Sequence, residues 1–165
     1  MASGNTLVVF QAVDAIAATA TFDTRTMATG FMPVLDFDAS TDEYAIFAGF
    51  MPRHYGGGGL TVTIGWMATS ATTGDVVWDA ALKSVTDDAD DLDTKAFAAV
   101  NSATDTTASA SGEVAYTTVT FTDGADMDSV AAGEYFQFYL NRDANNGSDT
   151  MTGDAELVFI EIRET

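Results

Sequence analysis

The segment Pro52-Arg53-His54-Tyr55, followed by Gly56, Gly57, Gly58 and Gly59, gathers the most chemistry in the chain. It holds the single histidine, a guanidinium, a phenol and four consecutive glycines. An imidazole can serve as a general base. Nucleophilic catalysis would also need a serine on a sharp turn and an orienting acid, and no G-x-S-x-G pattern exists here. A phosphate-cradling loop needs Gly-Lys-Ser/Thr leading into a helix, whereas Leu60–Trp66 alternates like a strand. The segment therefore reads as an inter-strand loop. Arg53, His54 and Tyr55 are its interface anchors, and Gly56–Gly59 allow positive φ or close contact with a neighbouring subunit.

Carboxylates are the other reactive stock. Asp87, Asp88, Asp90, Asp91 and Asp93 form one run, and Asp143, Asn145 and Asp149 place oxygen groups along a second loop. Calcium takes six to eight oxygens, which makes Asp143, Asn145 and Asp149 the nearest approach to a calcium loop. An EF-hand numbered from Asp143 would need Gly at its sixth position and Glu at its twelfth, where this chain has Ser148 and Asp154. Both runs read as solvated loops, and neither a metal site nor a cofactor is expected. Acid pairs for glycoside hydrolysis are easy to draw among 25 acids, but a glycosidase would bring an aromatic-lined cleft and a longer chain. No enzymatic activity is expected. Trp66 and Trp78 lie in phase with Val62, Ile64, Val76 and Leu82 and belong to the core. Tyr44, Tyr55, Tyr135 and Tyr139 are freer to be exposed, which keeps a glycan-binding module open without supplying a clear aromatic row.

The elements that must position these residues follow a period of two. Alternation marks strands at Leu60–Trp66, Val76–Lys83, Glu113–Thr122, Phe136–Leu140 and Val158–Arg163. Further strand-like runs occupy Leu7–Val13, Phe31–Phe37 and Tyr44–Met51, with a fainter one at Thr19–Met27. Turn residues separate them at Asp38–Glu43, Pro52–Gly59, Ser70–Gly74, Asp123–Gly133 and Asp143–Gly153. Asp87–Val100 reads as a short helix or an irregular excursion. The expected fold is all-β, an antiparallel β-sandwich, as a jelly roll of about eight strands in a single domain over residues 1–165.

Composition narrows the function. Six Lys+Arg stand against 25 Asp+Glu, a formal net charge of -19, and there is no cysteine. Disulfides and thiolate chemistry are excluded. Nucleic acid and anionic membranes are not expected partners, since both require clustered cations. The bias toward Asp, Ala and Thr suits a saline setting, where screening relieves self-repulsion. The N-terminal MASGNTLVVFQAV lacks a basic n-region, and no apolar run approaches the ~20 residues of a spanning helix, so neither a leader nor a membrane anchor is expected.

The run from Met51 to Asp79, the run from Asn141 to Leu157 and the stretch Pro33–Asp38 together resemble small β-sandwich proteins of tailed bacteriophages and prophages. That resemblance implies a capsid decoration or cement protein on the outer surface of a phage head. Its partner would be the major capsid protein, with a homo-oligomer, a trimer by analogy, straddling subunit joints. The alternative is a host-recognition or glycan-binding module on a fibre or head projection. A third reading is a stand-alone carbohydrate-binding or glycan-cleaving protein.

Overall fold

The computed structural model describes residues 4–165. Eleven strands carry the fold: β1 (Thr6–Gln11), β2 (Ala17–Ala18), β3 (Thr21–Met27), β4 (Gly30–Phe37), β5 (Glu43–Phe50), β6 (Leu60–Ala68), β7 (Asp75–Val85), β8 (Asn101–Thr106), β9 (Ala115–Phe121), β10 (Tyr135–Arg142) and β11 (Ala155–Glu164). Two single-turn 3-10 helices at Ala12–Asp14 and Ala125–Met127 are the only helical elements among the described residues. No helix there is long and apolar enough to cross a membrane.

The strands form two antiparallel sheets. One runs β3-β4-β11-β6-β9, with β1 also paired to β11, and the other runs β2-β5-β10-β7-β8. Alternation explains the sandwich: Val62, Ile64 and Trp66 from one sheet meet Trp78, Leu82, Phe136 and Phe138 from the other, all fully buried. Trp66 packs edge-on against Trp78 at 6.1 Å, and Phe37 meets Trp78 at 5.1 Å. Both tryptophans are core residues, as their phase requires. At the β8–β9 edge, Trp66 Nε1–H donates to Thr117 Oγ1 (2.7 Å) and Thr117 donates to Asp105 Oδ2 (2.7 Å), a polar clasp between the sheets.

The all-β antiparallel sandwich agrees with expectation, while the strand count is higher. Two strands lack an apolar signature: β2 has only two residues, and β8 (NSATDT) offers Ala103 as its one apolar side chain. Paired only to β7, β8 needs little hydrophobic burial to hold its place at the sheet edge. The segment after β7 is irregular with turns and no helix. A register shift on β11 between Leu157 and Phe159 corrects the expected phase there. Leu157 and Ile160 are both buried and Val158 is left half-buried, because the bulge adds one residue to the inward count.

One ion pair fixes the end of β10. Arg142 and Asp149 are essentially inaccessible, with Nη2–Oδ1 at 2.8 Å and Nε–Oδ2 at 3.0 Å. The remaining guanidinium hydrogens go to the carbonyls of Phe37 (3.2 Å), Gly153 (2.9 Å) and Met151 (2.9 Å). All five donors of the buried cation are thus satisfied, and the loop between β10 and β11 is tied to the sandwich.

Candidate functional site

The outward face of the β2-β5-β10-β7-β8 sheet holds the aromatic row that the sequence did not reveal. Because Ala45, Phe47, Phe136, Phe138, Leu140, Trp78, Ala80 and Leu82 all point into the core, their strand neighbours point out. The antiparallel register then sets four ranks across β5, β10 and β7. These are Tyr44–Asn141–Asp79, Ile46–Tyr139–Ala81, Ala48–Gln137–Lys83 and Phe50–Tyr135–Val85.

Tyr44 and Tyr139 stack with ring centroids 5.8 Å apart and planes 25° from parallel. Phe97, from the irregular segment between β7 and β8, meets Tyr139 at 5.6 Å. The Ala98 N–H donates to Leu82 O at 2.8 Å, which holds this segment against β7. Lys83 Nζ lies 4.8 Å from the Phe97 ring centre, and the Lys83 side chain is buried beneath it. The three rings are half-buried, braced from below and beside while part of each remains in solvent.

Hydrogen-bonding groups flank the rings. Asp79 accepts from Ser102 Oγ, and partial burial holds its carboxyl above the usual range, with Asp143 and Asp42 adding to the shift. The Tyr139 phenol is raised as well, first by burial and then by the charges of Asp79 and Asp42. The Tyr139 phenol therefore stays protonated at neutral pH and can donate as well as accept. Flat rings next to fixed acceptors can bind a ring that has apolar C–H faces and an equatorial rim of hydroxyls.

The residues singled out in the sequence lie elsewhere. Arg53 and His54 are exposed on the loop between β5 and β6. Tyr55, expected to be free, is buried: its hydroxyl donates to Gly58 O and approaches Met127 Sδ, and burial pushes its phenol up to about 12. This corrects the expectation that the Tyr55 ring is free to be exposed. The glycines fold around a carboxylate. Gly56 and Gly58 donate N–H to Glu164 Oε1 at 3.1 and 3.3 Å, and a Cβ on Gly56 would lie 2.6 Å from that oxygen. A Cβ on Gly59 would lie 2.7 Å from the Phe121 carbonyl, and Gly57 adopts φ +84°.

Of the calcium candidates, Asp149 is committed to Arg142 and to the Val77 N–H (3.1 Å). Asp143 accepts from the Asn146 side chain and Asn145 is exposed. Among the described residues, no group of three or more His, Cys, Asp or Glu side chains is arranged to hold a metal ion.

No protein-family model matches the chain, and no curated protein matches it either. Solved structures match over nearly all of it. The second family-6 carbohydrate-binding module of a Cellvibrio mixtus lichenase, in complex with cellotriose, is 14% identical with a TM-score of 0.52, covering 98% of this chain and 99% of that one. A xylan-binding domain from Paenibacillus barcinonensis is 11% identical with a TM-score of 0.52, covering 96% and 99%. A Paenibacillus cycloisomaltooligosaccharide glucanotransferase, complexed with cycloisomaltoheptaose, is 12% identical with a TM-score of 0.57; the match covers 93% of this chain, which spans only 18% of that enzyme's length.

At these identities the likeness establishes the fold, an all-β two-sheet sandwich like that of carbohydrate-binding modules. It also corrects the resemblance to phage head proteins. The sandwiches this chain resembles are glycan-binding modules, so the expectations of a virion, a capsid and a cement role are withdrawn. Short alternating strands joined by Gly- and Asp-rich turns are common to any acidic β-sandwich, and the likeness to virion proteins rested on those shared features.

Proposed function

We propose that this protein is a non-catalytic carbohydrate-binding module whose site is the outward face of the β5-β10-β7 sheet. The observation that carries this reading is the Tyr44–Tyr139–Phe97 row, braced by the buried Lys83 stem and flanked by Asp79, Gln137 and Ser102. Strands β5 and β10 hold Tyr44 and Tyr139 in place before ligand arrives, and the Ala98–Leu82 hydrogen bond holds Phe97, so little ordering cost falls on binding. The aromatic faces take the apolar side of a sugar, and the flanking side chains fix its hydroxyls. Support for binding over cleavage comes from the neighbours matched end to end, which are binding modules, whereas the glucanotransferase is matched over a small part of its length.

The test is affinity electrophoresis in gels containing β-glucan, xylan, mannan or starch, with Tyr139→Ala as the control. Retardation by at least one polysaccharide, lost at least tenfold in Tyr139→Ala with an unchanged circular dichroism spectrum, is the expected result. Free migration in all four gels would overturn the proposal.

A further inference from the structure

A second aromatic feature occupies the same sheet face at its other end. Phe50 and Tyr135 face each other across β5 and β10, with ring centroids 5.5 Å apart, and form one wall of a cleft of about 430 Å³. Val85 completes its floor, and Thr86, Asp87 and Glu134 rim it. Phe50 is 68% exposed, a large apolar surface to leave in water on a rigid strand. Its rank is two ranks from that of Tyr139, and both belong to β10. Four residues of strand separate Tyr135 from Tyr139, or about 13 Å, and six separate Tyr44 from Phe50, or about 20 Å. The rank between the two clusters is Ala48–Gln137–Lys83, a methyl, an amide and a lysine buried under Phe97.

We infer that this cleft is a second subsite of the glycan site, and that the ligand is a linear, uncharged polysaccharide chain lying along β10. This rests on the function proposed above. Direction follows from the register, since the aromatic clusters are displaced along the strands and not across them. The absence of charge follows from the ends of the path. Asp42, Asp79 and Asp143 cluster around the Tyr139 end. Asp87 and Glu134 line the Phe50 end. Of the two cations near the path, Lys83 is buried under Phe97, and Arg53 beside Gly133 at the Phe50 end is outnumbered by Asp87 and Glu134. A uronate or sulfated chain would meet carboxylates at both ends, whereas hydroxyls find acceptors there. Joining two subsites on one ligand makes the second contact intramolecular, so affinity climbs with chain length until both are filled.

Isothermal titration with cello-, laminari-, xylo- and manno-oligosaccharides of two to six residues, and with polygalacturonate, tests this. In the series that binds, affinity should rise at least tenfold from the two- to the six-residue ligand. Phe50→Ala, an exposed change that the fold tolerates, should erase that gain and leave the two-residue affinity within twofold. Polygalacturonate should not bind. An affinity independent of length, a six-residue affinity untouched by Phe50→Ala, or tight polygalacturonate binding would overturn the inference while leaving glycan binding standing. No binding in any neutral series would overturn the proposed function itself, and this inference with it.

Discussion

Replacing Asp149 by Ala removes the one charged partner, among the described residues, of a guanidinium with no solvent access. Three of the five Arg142 donor contacts, to the carbonyls of Phe37, Gly153 and Met151, would survive. The Nε–H and one Nη2–H would lose their acceptor, as would the Val77 N–H. Each stranded donor alone costs about 1–3 kcal/mol, but the three share one relaxation and do not add. Breaking a buried pair from one side costs about 3–5 kcal/mol, and that range is the expected loss. For a chain of this length each kcal/mol moves Tm by about 2–4 °C, so Asp149→Ala should melt roughly 10 °C lower. Asp149→Asn keeps one acceptor oxygen and should lose about half as much. Urea unfolding gives the free energies, and repeating it in 1 M NaCl adds a check, because a pair this buried is screened very little. A loss under about 1 kcal/mol for Asp149→Ala, or one that vanishes in high salt, would refute the assignment of this pair as the anchor of the β10–β11 loop.

Three further perturbations probe other parts of the account. Thr117→Val strands the Trp66 indole N–H inside the sandwich and removes a donor from Asp105, and should cost about 1–3 kcal/mol in urea unfolding; an unchanged midpoint would show that the clasp contributes nothing. Gly74→Ala places a Cβ 2.7–2.8 Å from Met151 and Thr150 backbone atoms at φ +98°, and should cost more than about 2 kcal/mol, whereas a neutral result would contradict the close approach. Asp36 is raised to about 6 by burial and then by the charges of Asp154 and Glu156. A raised carboxyl contributes stability that is fully present below its unfolded value of 3.8 and is lost as pH rises through about 6. Asp36→Asn should therefore stabilise the protein at pH 7.5 by about 1 kcal/mol after allowance for solvent screening, and narrow the stability gap between pH 5 and 7.5; an unaltered gap would refute it.

Much of the sandwich was legible because its central strands carry their large apolar side chains on one face. Leu60–Trp66, Val76–Leu82 and Phe136–Leu140 alternate cleanly, and the structure places them in the core. β8 was not legible, because Asn101–Thr106 contributes almost no apolar surface and takes its place from pairing with β7. The site was half legible. Tyr44, Tyr135 and Tyr139 stood in strands on the side opposite Phe47, Phe136 and Phe138, so their outward direction follows from phase alone. What the sequence withheld was neighbourhood: Tyr44 and Tyr139 are 95 positions apart, and only the β5–β10 register makes them stack. Phe97 carried no signal, since it lies outside any strand and is placed by the Ala98 contact with Leu82. The glycine run attracted attention for its composition, yet its work is internal, wrapping Glu164 and burying Tyr55. Unusual local sequence marked a packing requirement, while the candidate site was assembled from ordinary strand residues.

The most direct test of the central claim is titration of the full chain with the four neutral oligosaccharide series, read by tryptophan-independent calorimetry and repeated with Tyr139→Ala. Saturable one-to-one binding in at least one series, weakened at least tenfold by the substitution with the fold intact, is the expected result. Saturable binding that Tyr139→Ala leaves unchanged would place the ligand somewhere other than this sheet face, and no heat in any series would contradict glycan binding outright.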